Sequence, residues 1–129
     1  MKLIYLPVIL LFLLLACSDD DDNTVVCGVV SPLTDLPWLR TEIENRLEED
    51  SEDLVYCYIT EATYRGQTVF LYWDCNPTIN KVIPVYDCEG SFLGSLGQQI
   101  DAEEIEEECV IWRAPGFVCL IDFACIRPD

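Results

Sequence analysis

The chain has 129 residues, 51% of them hydrophobic, with eight cysteines and no histidine. That length holds one domain, and three Trp, six Tyr and five Phe supply enough apolar mass to close one core, which excludes a globally disordered chain. The net charge is −17, or −18 without Lys2 and −14 when Asp19 to Asp22 are also set aside; it disfavours nucleic acid and anionic headgroups and favours cations, basic partners or simple solubility.

Met1 and Lys2 form a short positive start, and Leu3 to Ala16 is then apolar throughout. The run is too short for a bilayer-spanning helix, which needs about 20 apolar residues. It fits the apolar region of a signal peptide. No basic residue follows directly, and the next four charges are acidic, the reverse of a stop-transfer flank. Leu14-Leu15-Ala16-Cys17 resembles the lipobox of bacterial lipoproteins. The resemblance implies that Cys17 is acylated and that residues 1–16 are removed. Ser18 and the aspartates Asp19 to Asp22 repel one another, so residues 17–26 are expected to extend as a tether. This run is similar to the acidic export signal of Bacteroidota lipoproteins, which implies a lipid-anchored position on the outer face of the outer membrane. A plain solvated spacer is the alternative. Residues 27–129 are then a single globular domain.

Within that domain a helix is expected to start at Thr34 or Asp35 as cap, with Pro37 in its first turn. Leu36, Leu39, Ile43 and Leu47 recur three or four apart and make one apolar stripe, with Trp38 at its edge. Glu42 and Arg46 are spaced to pair across one turn. From Leu54 the composition turns to Val, Ile and aromatics, and Leu54–Thr60 and Thr68–Trp73 read as a hairpin around Arg65-Gly66. Lys81–Tyr86 reads as a third strand, placed at an edge or a bulge by Pro84. A turn at Asp87-Cys88-Glu89-Gly90 returns the chain through Ser91-Phe92-Leu93. Asp101 can cap an acidic helix through Glu108, although Glu106, Glu107 and Glu108 load its carboxyl end unfavourably. Val110–Trp112 and Phe117–Phe123 are expected to form a last hairpin. The fold class is therefore α+β: one main amphipathic helix on an antiparallel meander sheet, stabilised by disulfides.

With Cys17 set aside, the disulfide candidates are Cys27, Cys57, Cys75, Cys88, Cys109, Cys119 and Cys125, an odd number that leaves one unpaired. Turn geometry places Asp74 opposite Cys57, and a one-residue shift would bring Cys75 there instead. A Cys57–Cys75 bridge is expected on that basis, with Cys88–Cys109 as a second. Zinc is not expected, because the closest pair, Cys119 and Cys125, is too far apart for a knuckle and histidine is absent. The missing histidine also removes the usual means of activating a serine or cysteine nucleophile. Of the acidic residues, only Asp74, after Tyr72-Trp73, and Asp122, between Ile121 and Phe123, sit in apolar surroundings; a strand-end turn and a solvent-facing position are the ordinary explanations. Tyr56, Tyr58, Tyr64, Phe70, Tyr72 and Trp73 crowd the first hairpin, and alternation sends them to both faces. Some must be covered by other elements or meet solvent as a recognition surface.

Leu36-Pro37-Trp38-Leu39, Tyr64-Arg65-Gly66-Gln67-Thr68-Val69-Phe70 and Val85-Tyr86-Asp87-Cys88-Glu89-Gly90 resemble a family of small Bacteroidota lipoproteins with an uncharacterised domain. The likeness covers about residues 34–97 and implies location and fold, with no catalytic residues and no cofactor to carry over. The expected function is a lipid-anchored, non-catalytic surface domain that binds an extracellular protein or glycan. Its alternatives are a small envelope enzyme or enzyme inhibitor working through carboxylates, and a purely structural envelope component.

Overall fold

The computed structural model describes residues 24–127. The leader, Cys17 and the aspartates behind it lie outside the described residues.

The helical region is split by its prolines. A short turn α1 spans Pro32–Asp35 and the main helix α2 spans Pro37–Glu48. Leu36, between them, is extended because the ring of Pro37 disfavours a helical residue before it. The expected cap at Thr34 or Asp35 is therefore replaced by Leu36, and no side chain caps α2. Asp35 instead accepts from the Ser31 amide at 3.3 Å and braces the first turn. Leu36, Leu39 and Ile43 are buried, but Leu47 is 42% exposed, so the apolar stripe ends one turn earlier than its spacing suggests. The Glu42–Arg46 pair forms at 3.0 Å, and the Arg46 guanidinium also lies 4.5 Å from the centre of the Tyr72 ring.

After a 3-10 turn at Glu52–Tyr56, β1 (Cys57–Tyr64) and β2 (Gln67–Asp74) make the hairpin. Arg65 and Gly66 both have positive φ, 49° and 77°, as a two-residue turn matched to the right-handed twist requires. Its register is unbroken from Tyr64↔Gln67 to Cys57↔Asp74. Cys75 therefore never comes opposite Cys57, and the expected Cys57–Cys75 bridge does not form.

β3 (Pro84–Tyr86) pairs with β2, and β4 (Phe92–Ser95) lies outside β3. Pro84 is not on an edge strand: it opens a three-residue strand whose pairing with β4 shifts between Val85 and Tyr86. Asp87 closes the intervening turn by accepting from the Glu89 and Ser91 amides at 3.0 and 2.8 Å. Gly90 is required there, because a Cβ at its position would meet the Trp38 ring at 2.7 Å. The Trp38 indole donates to the Cys88 carbonyl at 2.7 Å and locks the helix to this turn.

The acidic stretch departs most from expectation. Only Ala102–Glu104 is helical, and Ile105–Arg113 is strand β5, paired antiparallel with β1. The outer edge of β1 would otherwise be unpaired, and satisfying that row of backbone groups outweighs the weak helical preference of a segment whose glutamates oppose the helix dipole. The resulting five-stranded antiparallel sheet has the order β4-β3-β2-β1-β5, a meander over four strands with the fifth added on the far side. The expected final hairpin is absent. Residues 117–123 cross the sheet as irregular chain, and only Ile126 bridges to β5, parallel to Val110.

Both faces of the sheet are covered. Leu39 and Ile43 of α2 pack with Ile59, Phe70, Tyr72 and Ile111 on one side. On the other, Ala62, Val69, Leu71 and Val85 pack against Ile100. Glu61, buried beside this framework, is met by Arg127 at 2.9 Å, which ties the end of the described chain to β1. Three disulfides join Cys27 to Cys88, Cys75 to Cys119 and Cys109 to Cys125, with Cα separations of 5.5, 6.1 and 4.6 Å. Neither expected bridge is among them, and Cys57, one of the candidates, is the free thiol.

Candidate functional site

Two clefts flank the open end of the first hairpin, and strand alternation divides their residues. On one face lie Cys57 and Asp74, directly opposite each other. The Cys57 thiol donates weakly to the Asp53 carbonyl at 3.7 Å and to Asp74 Oδ2 at 3.8 Å. Asp74 also pairs with Lys81 and accepts from the Asn76 amide at 2.8 Å, while Asn76 donates to Asp53 at 2.8 Å. Arg46 and Tyr72 complete the walls of a cleft of about 280 Å3. Burial pushes the thiol pKa up and the Asp74 carboxylate adds to it, against the opposing pull of Arg46 and Lys81. A thiol kept protonated is a poor nucleophile. Asp74 is thus a turn-closing, charge-paired group, in keeping with its place at the strand end.

This arrangement predicts the chemistry of Cys57, the one free cysteine among the described residues. Ellman's reagent is expected to find a single thiol other than Cys17 once the non-reduced protein is unfolded, and to react with it at least about tenfold more slowly in the native state. Rapid native labelling of Cys57, or labelling of a second cysteine, would contradict the pairing described above.

The opposite face carries the more elaborate cleft, of about 390 Å3. Tyr58 of β1 faces Trp73 of β2, and their rings stack with centroids 5.8 Å apart and planes 3° from parallel. Phe117 and Phe123 of the crossing segment present their rings to Tyr58 at 5.7 and 5.1 Å in edge geometry. Two residues along β1, the Thr60 hydroxyl donates to Glu108 Oε1 at 2.6 Å. The Trp73 indole reaches both, at 2.9 Å from Thr60 Oγ1 and 2.8 Å from Glu108 Oε1. Glu108 Oε1 is thereby fixed, whereas Oε2 makes no hydrogen bond among the described residues.

Tyr58 is only 6% exposed, yet its hydroxyl has no hydrogen-bond partner among the described residues. Burial, reinforced by the Glu108 charge, pushes its pKa up to about 12, so the phenol remains protonated at neutral pH. Asp122 lines the rim of the same cleft and is exposed, although on irregular chain rather than on a strand. The segment from Cys119 to Cys125 is held at both ends by disulfides, and between them Leu120 projects fully into solvent.

The crowded aromatics are therefore mostly spoken for. Phe70 and Tyr72 enter the helix-side core, Tyr64 packs against the opposite core, and Tyr58 and Trp73 form the cleft floor. Glu108, Phe117 and Phe123 are not distinguishable as site residues in the sequence, because local patterning puts Glu108 in a helix and the two phenylalanines in a strand. Among the described residues, no group of three or more cysteines or acids is placed to share a metal ion, and no helix is long and apolar enough to cross a membrane. The chain was compared with protein-family models, curated proteins and solved structures, and none matches.

Proposed function

We propose that this protein is an envelope lipoprotein, anchored through Cys17 on the outer surface of the outer membrane, whose domain binds an extracellular partner without catalysis. The observation that carries the binding role is the cleft floored by Tyr58 and Trp73, where a carboxylate is oriented by two donors and the hydroxyl of a largely buried tyrosine makes no hydrogen bond among the described residues. Orienting groups that are pinned by their own neighbours lose little freedom when a ligand arrives. A protein partner is favoured over a glycan by the exposed Ile121 in the cleft lining, which follows the exposed Leu120 on the Cys119–Cys125 segment stapled by two disulfides. The anchor rests on Leu14-Leu15-Ala16-Cys17 and on the acidic run that follows.

Both halves are tested with full-length protein in cells of an outer-membrane species. Labelled palmitate is expected on the wild type and not on a Cys17→Ala variant, while the three disulfides persist in both; incorporation surviving the substitution would refute the anchor. Capture of an envelope partner is expected to fall about tenfold or more in Trp73→Ala, as for an aromatic at the centre of an interface. Undiminished capture by a Trp73→Ala protein with intact disulfides would refute the cleft as the binding site.

A further inference from the structure

We infer that the Tyr58–Trp73–Glu108 cleft takes the ammonium group of a lysine side chain presented by a polypeptide partner; this rests on the cleft being the binding site. The lining supplies two carboxylates, Glu108 and Asp122, and no basic side chain. The whole chain carries −17, so the field at the cleft mouth draws cations from solution. Aromatic walls next to a carboxylate suit a cation on an apolar stem: the rings meet the methylenes and their π-faces attract the charge.

The hydrogen bonds already made choose between the two basic side chains. An arginine fork gains most when both oxygens of a carboxylate are open to it. Here Thr60 and Trp73 occupy Glu108 Oε1, so only Oε2 is open, and a bidentate pair cannot form without displacing one of them. An ammonium needs no fork. It is a compact point charge with three donors, and one can go to Glu108 Oε2 while another reaches the unpartnered oxygen of the Tyr58 hydroxyl. Both residues line the cleft, so one ligand group can engage the two atoms together.

The test uses the full-length protein in non-ionic detergent and three short blocked peptides that differ only in a central lysine, arginine or norleucine. Binding is followed by the NMR signal of the Trp73 indole N–H. The lysine peptide is expected to shift that signal with saturation, the arginine peptide to bind at least about threefold more weakly, and the norleucine peptide about tenfold more weakly or not at all. Glu108→Gln keeps the Oε1 acceptor for Thr60 and Trp73 but removes the charge. It is expected to weaken lysine binding about tenfold, and the wild-type affinity is expected to fall with added salt. Equal shifts from lysine and norleucine, tighter binding of arginine, or a Glu108→Gln protein that binds lysine like the wild type would each overturn the inference. If Trp73→Ala loses the envelope partner while Glu108→Gln retains it fully, the lysine assignment fails and the cleft remains the binding site. If neither substitution affects capture, the binding site itself is wrong.

Discussion

Replacing Cys27 and Cys88 together by serine is expected to destabilise the domain by about 4 kcal/mol, from the entropy of the loop the bridge closes in the unfolded chain. The bridge spans a sequence separation of 61, the longest of the three. Cys109–Cys125 spans only 16, and its removal is expected to cost about 3 kcal/mol on the same reasoning. The order of the two effects is therefore set by the pairing. Urea unfolding of the two double variants, read by tryptophan fluorescence, checks it; equal midpoints or a reversed order would count against the connectivity.

The local consequence is as specific as the magnitude. Cys27 lies in a tight turn in which Val26 and Val29 exchange backbone hydrogen bonds at 2.8 and 2.9 Å. Cys88 lies in the β3–β4 turn that also holds Trp38. The disulfide thus fastens the first described turn of the domain to the β3–β4 turn. In the double serine variant the amides of Val26 and Val29 are expected to exchange before those of β1 and β2, because the turn then keeps its packing on the helix-side core but lies outside the sheet ladder. Protection of these amides equal to that of the central strands would show that the turn is held without the bridge.

Phe70→Ala is expected to cost roughly 3–5 kcal/mol, the range for emptying a closed aromatic site in a core. Phe70 is fully buried, and the edge of its ring contact with Trp38 lies at a centroid distance of 5.5 Å and an angle of 75°. The site cannot collapse easily. Trp38 is fixed by its bond to the Cys88 carbonyl, and the strands on either side are pinned by their ladders. Leu47→Ala provides the contrast: this residue continues the apolar stripe of α2 in the sequence but is 42% exposed, so its truncation is expected to cost less than about 1 kcal/mol. A Leu47 effect comparable to that of Phe70 would mean that α2 packs over its whole length.

Local features of the fold were legible because they depend on neighbours in the chain. Pro37 and the spacing of Leu36, Leu39 and Ile43 are enough to mark α2, and Arg65-Gly66 between two aromatic runs marks the hairpin and its unbroken register. That register already held the fact that Cys57 faces Asp74. The two-residue turn excludes the one-residue shift that would bring Cys75 there instead. The odd number of cysteines after position 17 likewise implied one unpaired residue without saying which.

The remainder was decided by groups far apart in the chain. Whether Ile105–Arg113 is helix or strand depends on the open edge of β1, more than forty positions earlier, and no local preference of three glutamates reports that edge. Once β5 is laid down, Glu108 comes beside Thr60 and Trp73, and the bridges of Cys119 and Cys125 draw Phe117 and Phe123 over Tyr58. Periodicity and turn chemistry suffice for the α+β class, the main helix and the hairpin, since each depends on residues close together in the chain. Disulfide connectivity, the strand order and the cleft were decided only by tertiary structure, because each needs residues from separate elements to satisfy one another across the sheet.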